Sequence, residues 1–127
     1  MTTKPLADFN NAQMAIVYEA MQRYGERLTG ADHALFKITL LKVINQENMV
    51  ELDGMGMRQV NQALTARARL HFACDQSEAG KAKWRLVAGL AGLVLARMYQ
   101  FQHKNNPLLK KEEAQTAATV HASVSNL

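Results

Sequence analysis

Arg58, Gln59, Asn61, Gln62 and Arg67 are the side-chain types that hydrogen-bond base edges in pairs or grip phosphates, and they fall in a stretch almost free of acids. An ordinary solvated helix face would use the same residues. A second basic cluster, Lys81, Lys83 and Arg85, stands near the start of a long helical pattern, where a helix dipole prefers anions. Each misplaced cation costs about 0.3 to 1 kcal/mol at an exposed end, so a phosphate contact would give a reason to keep them. A helix beginning earlier would also explain them. His71 and Cys74, three apart, could share a helix face, but structural zinc takes four ligands, and His33, His103 and His121 show no paired spacing. As a nucleophile pair they have no oxyanion site and no third orienting group, so both are read as structural residues, with Cys74 buried. Gly54-Met55-Gly56 lacks the strand and the third glycine of a phosphate-cradling loop. No enzyme, metal or cofactor is expected.

The elements that would hold these residues are helical. Ala, Leu, Met, Gln, Lys and Arg fill long spans, and proline occurs only at Pro5 and Pro107, so an all-α, single-domain fold is expected. At 127 residues and 48% hydrophobic content, the chain can bury one core without disulfides. Its lone cysteine excludes an intrachain disulfide, and Met1 to Pro5 lacks a charged segment followed by an apolar one; both fit a reducing cytosol. Leu86 to Leu95, the most apolar run, is well short of the ~20 residues that span a bilayer.

Charge is unevenly spread under the net +4. Residues 1–57 carry five Lys/Arg against seven Asp/Glu, and residues 58–111 carry ten against two. Such a division suits a nucleic acid facing one part and a protein, or a second copy of the chain, facing the other. A solvated surface that keeps the protein soluble would show the same excess.

Asp8 can cap a first helix in which Phe9, Ala12, Ile16, Val17, Ala20, Met21, Tyr24 and Leu28 form one apolar stripe, ended by Thr29 and Gly30. That stripe could face the core or a second copy; Phe9, Ile16, Val17, Met21 and Tyr24 are the candidate oligomer interface. Ala34, Leu35, Ile38, Leu41 and Ile44 suit a second helix, although Phe36 to Ile44 would also accept a strand. Asn45 to Gly56 reads as punctuation around a very short helix, and a helical face resumes at Val60, Ala63 and Leu64. A helix-turn-helix element is possible there, with Asp53 standing where an apolar residue is usual. The longest helix runs from Glu78 to about His103, with Gly89, Gly92, Ala88 and Ala96 allowing another helix to approach closely. The domain is placed at residues 1–106, with a flexible or partly helical tail at 107–127.

The stretch Ile44-Asn45-Gln46-Glu47, then Leu52, Met55, Met57, Gln59 and Val60, then His71-Phe72 and Asp75, resembles the central segment of the FlhD family. There Ile-Asn-Glu-Glu is followed by Leu-x-x-Leu-x-Leu-x-Gln-Met and later by His-Phe-x-x-Asp. Gln22-Arg23 is similar to a pair near the end of the family's first helix, and the resemblance covers about residues 14–75. Leu70 stands in place of the family's cysteine before His-Phe, so the interchain disulfide that cysteine implies has no counterpart here. The resemblance implies a helical, dimerising subunit that joins an FlhC-like partner in a heteromeric DNA-binding transcription activator, the partner carrying zinc and most DNA contacts. It also implies control of flagellar operons or, as in mobile-element relatives such as SetD and AcaD, of conjugative-transfer genes. Two other classes stay open from the residues alone: an autonomous helix-turn-helix DNA-binding regulator, and a small protein-binding inhibitor of a host factor.

Overall fold

Four α-helices account for most of residues 1–105, the part described by the computed structural model. They are α1 (Asn11–Glu26), α2 (Gly30–Gln46), α3 (Gly54–Cys74) and α4 (Glu78–Asn105), with a 3-10 turn at Glu47–Met49 between α2 and α3. The described residues contain no strand, only an isolated antiparallel bridge between Thr3 and Leu52 that ties the N-terminal segment to the α2–α3 connection. Of the expected elements, the tail at 107–127 lies outside the described residues.

Each helix start has a local cause. Asn10, not Asp8, caps α1: its side chain accepts from the Gln13 amide at 2.8 Å while Gln13 Oε1 accepts from the Asn10 amide, a reciprocal capping box. Asp8 instead reaches across the fold to Arg97. Asp53 caps α3 by accepting from the Gly56 amide at 2.8 Å, which explains an acid where a helix-turn-helix would put an apolar residue. Ser77 caps α4, its hydroxyl accepting from the Gly80 amide at 3.2 Å. Gly80 has to be glycine, because a Cβ there would sit 2.1 Å from the Asp75 carbonyl oxygen in the tight α3–α4 turn. Thr29 precedes α2 rather than closing α1, and Gly30 opens α2 at φ 61, a left-handed conformation that favours glycine.

α3 and α4 pack along their lengths as the main layer, α1 lies on α3, and α2 rests mainly on α1. The core gathers Leu6, Phe9, Val17 and Met21 from the N-terminal part, Phe36 and Val43 from α2, Met57, Val60 and Leu64 from α3, and Val87, Val94 and Met98 from α4. This corrects the oligomer-interface reading of α1. Phe9, Val17 and Met21 are buried in the chain's own core, while Ile16 and Tyr24 are half-buried at its margin, Tyr24 packed against Phe36 with ring centroids 5.4 Å apart. A stripe of this width buries against α3, so little of it is left for a second copy.

Candidate functional site

The polar residues singled out on α3 do not share one face. The buried residues Val60, Ala63, Leu64 and Ala68 fix the phase of the helix. With that phase, Arg58, Gln62 and Arg69 lie on the outward side at spacings of four and seven, all exposed. Arg69 was missed in the sequence reading, although the spacing 58, 62, 69 carries it onto the same face.

The remaining three are ties within the fold. Gln59 Oε1 accepts from the Thr39 hydroxyl, which is buried on α2, and so joins α2 to α3. Asn61 Nδ2 donates to the Ala91 carbonyl at 2.8 Å and joins α3 to α4. Arg67 donates to Glu19 and joins α3 to α1. Gln59, Asn61 and Arg67 are therefore withdrawn as base or phosphate contacts, because each is only partly exposed and its orientation is set by a bond to another helix.

The α4 cations also diverge. Lys81 pairs with Glu78 at 3.7 Å, and Lys83 and Arg85 form no ion pair among the described residues. Two residues along a helix turn the side chain by about 200°. Arg85 therefore points away from Lys83, which faces a hollow of about 330 Å³ walled by Ile16, Leu86 and Val87 together with Glu19, Arg67 and His71. Burial pushes the His71 imidazole below its usual value, and the neighbouring Arg67 and Lys83 push the same way. Glu19 and Asp75 are the counter-charges of that cluster. Cys74, expected to be buried, is exposed at the end of α3. Among the described residues no cluster of His, Cys, Asp and Glu could hold a metal ion.

On the opposite flank a different signal stands out. α2 buries Phe36, Thr39 and Val43, yet Leu35, Ile38, Leu41 and Ile44 remain exposed, Ile38 at 56% and Leu41 at 48%. α2 is thus apolar on the side that faces away from the domain as well as on the side that faces it. Nothing among the described residues covers this face. No described helix is long and apolar enough to cross a membrane.

The last tie sets the N-terminal segment on α4. Arg97 donates to both carboxylate oxygens of Asp8, at 2.7 and 2.8 Å, and to the Pro5 carbonyl, and lies 5.8 Å from the centre of the Phe9 ring. Those hydrogen bonds hold the Asp8 carboxyl below its usual range. Comparison of the chain with protein-family models, with curated proteins and with solved structures finds no match.

Proposed function

We propose that this chain is the smaller subunit of a heteromeric DNA-binding transcription activator of the FlhD type, completed by an FlhC-like companion. The observation that carries the reading is the exposed apolar face of α2, Leu35, Ile38, Leu41 and Ile44, which suits a permanent protein companion better than water. Arg58 and Arg69 on α3 and Arg85 on α4 are exposed cations without ion pairs among the described residues, and they supply the phosphate-facing part. Regulation of conjugative-transfer or flagellar operons follows from the FlhD resemblance alone.

The division of labour has a physical basis. Two exposed arginines and one glutamine on α3 are a small base-reading set for one chain, since three of its five recognition-type side chains are bonded inside the fold. The companion then carries most of the sequence reading, and this chain adds phosphate contacts and the surface that holds the companion. An autonomous regulator would need a fuller set of free side chains.

A gel shift tests the proposal with this chain alone, the co-expressed product of the neighbouring gene alone, and both together, on duplexes from their own operon. The proposal predicts a specific shift only from the two together, weakening steeply as salt rises. A specific shift from this chain alone would favour the autonomous regulator. No shift from any combination, with a stable protein complex nonetheless formed, would favour the host-factor inhibitor.

A further inference from the structure

Three helices wall the hollow of about 330 Å³ beside His71, and they divide it by chemistry. Ile16 of α1, with Leu86 and Val87 of α4, gives it an apolar side. The rest of its lining is Glu19 of α1, Arg67 and His71 one turn apart on α3, and Lys83 of α4. Glu19 and Arg67 are bonded to each other. The Lys83 ammonium and the His71 imidazole form no hydrogen bond or ion pair among the described residues. The other acid near them, Asp75, stands outside the lining, its Oδ1 accepting from the amide and the hydroxyl of Ser77 at 3.0 and 2.5 Å. The lining thus sets two permanent cations against one acid, and it brings two unused donors beside an apolar wall.

We propose that this hollow binds a small organic acid, whose carboxylate is held by Lys83 and His71 and whose apolar body lies on Ile16, Leu86 and Val87. Its volume is at the low end for ligand sites, so the ligand is compact, about ten non-hydrogen atoms. Acetate or a bare phosphate would leave the apolar wall wet, and a neutral apolar molecule would leave Lys83 and His71 without a charged acceptor. The hollow opens on the first third of α4. Lys83 and Val87 lie about 27 to 33 Å along the helix from Asn105, where the described residues end. The inference stands apart from the proposed function, since it needs neither DNA nor a companion.

The imidazole makes this binding proton-linked. In the free chain burial, then Arg67 and Lys83, hold His71 below its usual value, while Glu19 and Asp75 pull the other way. A carboxylate set beside the ring reverses that balance, because it favours the imidazolium and accepts a hydrogen bond from it. His71 therefore titrates higher with the acid bound than without it. Between those two values binding takes up a proton, so affinity rises as pH falls from about 8 to about 6, a range in which the carboxylate itself stays ionised.

Imidazole proton NMR of the full chain, titrated with phenylacetate, reads the site directly, and His71→Gln assigns the resonance. At about pH 6 phenylacetate should bind with a dissociation constant of roughly 1 mM or below and should move the His71 titration upward. Phenylacetamide, acetate and inorganic phosphate should each bind about tenfold more weakly, or less. Lys83→Ala, at an exposed side chain, should keep the fold and weaken phenylacetate binding roughly tenfold, whereas Lys81→Ala should bind as the wild type does. His71→Gln should bind phenylacetate equally at about pH 8 and pH 6, where the wild type gains roughly threefold or more. A His71 that titrates above 6.5 in the ligand-free chain would show that an acid of the chain itself fills the hollow, and would overturn the proposal. So would phenylacetate that leaves His71 unmoved, a Lys83→Ala chain that binds undiminished, or control compounds that bind as well as phenylacetate.

Discussion

Arg67 belongs to the fold and Arg58 to the surface, so replacing each with alanine should separate stability from DNA binding. Arg67 is 18% exposed and its partner Glu19 52% exposed, a pair partly open to water and therefore contributing about 0 to 1 kcal/mol. The aliphatic stem of Arg67, held between α1 and α3, adds packing. Against this, its Nε is buried without a hydrogen-bond partner, and removing it relieves a cost of about 1 to 3 kcal/mol. The terms largely offset, so Arg67→Ala should change stability by no more than about 1 kcal/mol and the melting temperature by no more than about 4 °C. Glu19→Ala should cost more than Arg67→Ala, because it removes the acid bonded to Arg67 and leaves only Asp75 near His71 and Lys83. Arg58→Ala should leave the melting temperature unchanged while reducing the slope of log affinity against log salt for the assembled complex by about 1. The assays are thermal melts by circular dichroism and a salt-titrated gel shift on the same preparations. An Arg67→Ala chain that melts like the wild type but binds DNA tenfold more weakly would refute the assignment of Arg67 to the fold.

Gly80→Ala drives a methyl group into the Asp75 carbonyl, 2.1 Å away, so the α3–α4 turn must open; denaturant titration should show a loss of roughly 3 kcal/mol. Asp53→Ala removes the cap of α3 and should cost about 1 kcal/mol in the same titration, with Asp53→Asn close to wild type. Burial holds His71 below the usual imidazole value of 6.5, so the unfolded chain takes up the proton first as pH falls. Stability is then full above pH 6.5 and declines below it, and in melts between pH 7.5 and 5 the decline should be shallower for His71→Gln. Asp8 adds a second window: its contribution is full above about pH 3.8 and is lost as pH falls through its lower folded value, a loss that Arg97→Ala should remove.

Periodicity made the helices legible, while phase and pairing decided their use. The α1 stripe was plain in the sequence, but Val17 and Met21 read alike whether they face a core or a second copy. Only the packing of α1 on α3 distinguishes the two. On α3 the residue types pointed to Arg58 and Gln62, and they also drew in Gln59, Asn61 and Arg67, whose partners Thr39, Ala91 and Glu19 lie 20, 30 and 48 residues away. No local signal announces such ties. Asp53 seemed a misfit in a helix-turn-helix and proved to be a cap, so the departure itself carried the information. Gly89 and Gly92 suggest close helix approach by residue type, yet among the described residues a Cβ at either would meet nothing within 4 Å. Asp8 stands where a helix cap is usual, and its true partner Arg97 lies 89 residues away, beyond the reach of any local pattern.

The central claim is that α2 keeps an apolar face for a companion protein. The measurement that bears on it most directly is the mass of the complex co-purified with the neighbouring gene product, for the wild type and for an Ile38→Glu, Leu41→Glu double variant. Both side chains are about half exposed, so the variant should keep its helicity and melting temperature. The account predicts a stoichiometric heteromer from the wild type and an isolated, folded chain from the variant. A variant that assembles to the same mass as the wild type would contradict it.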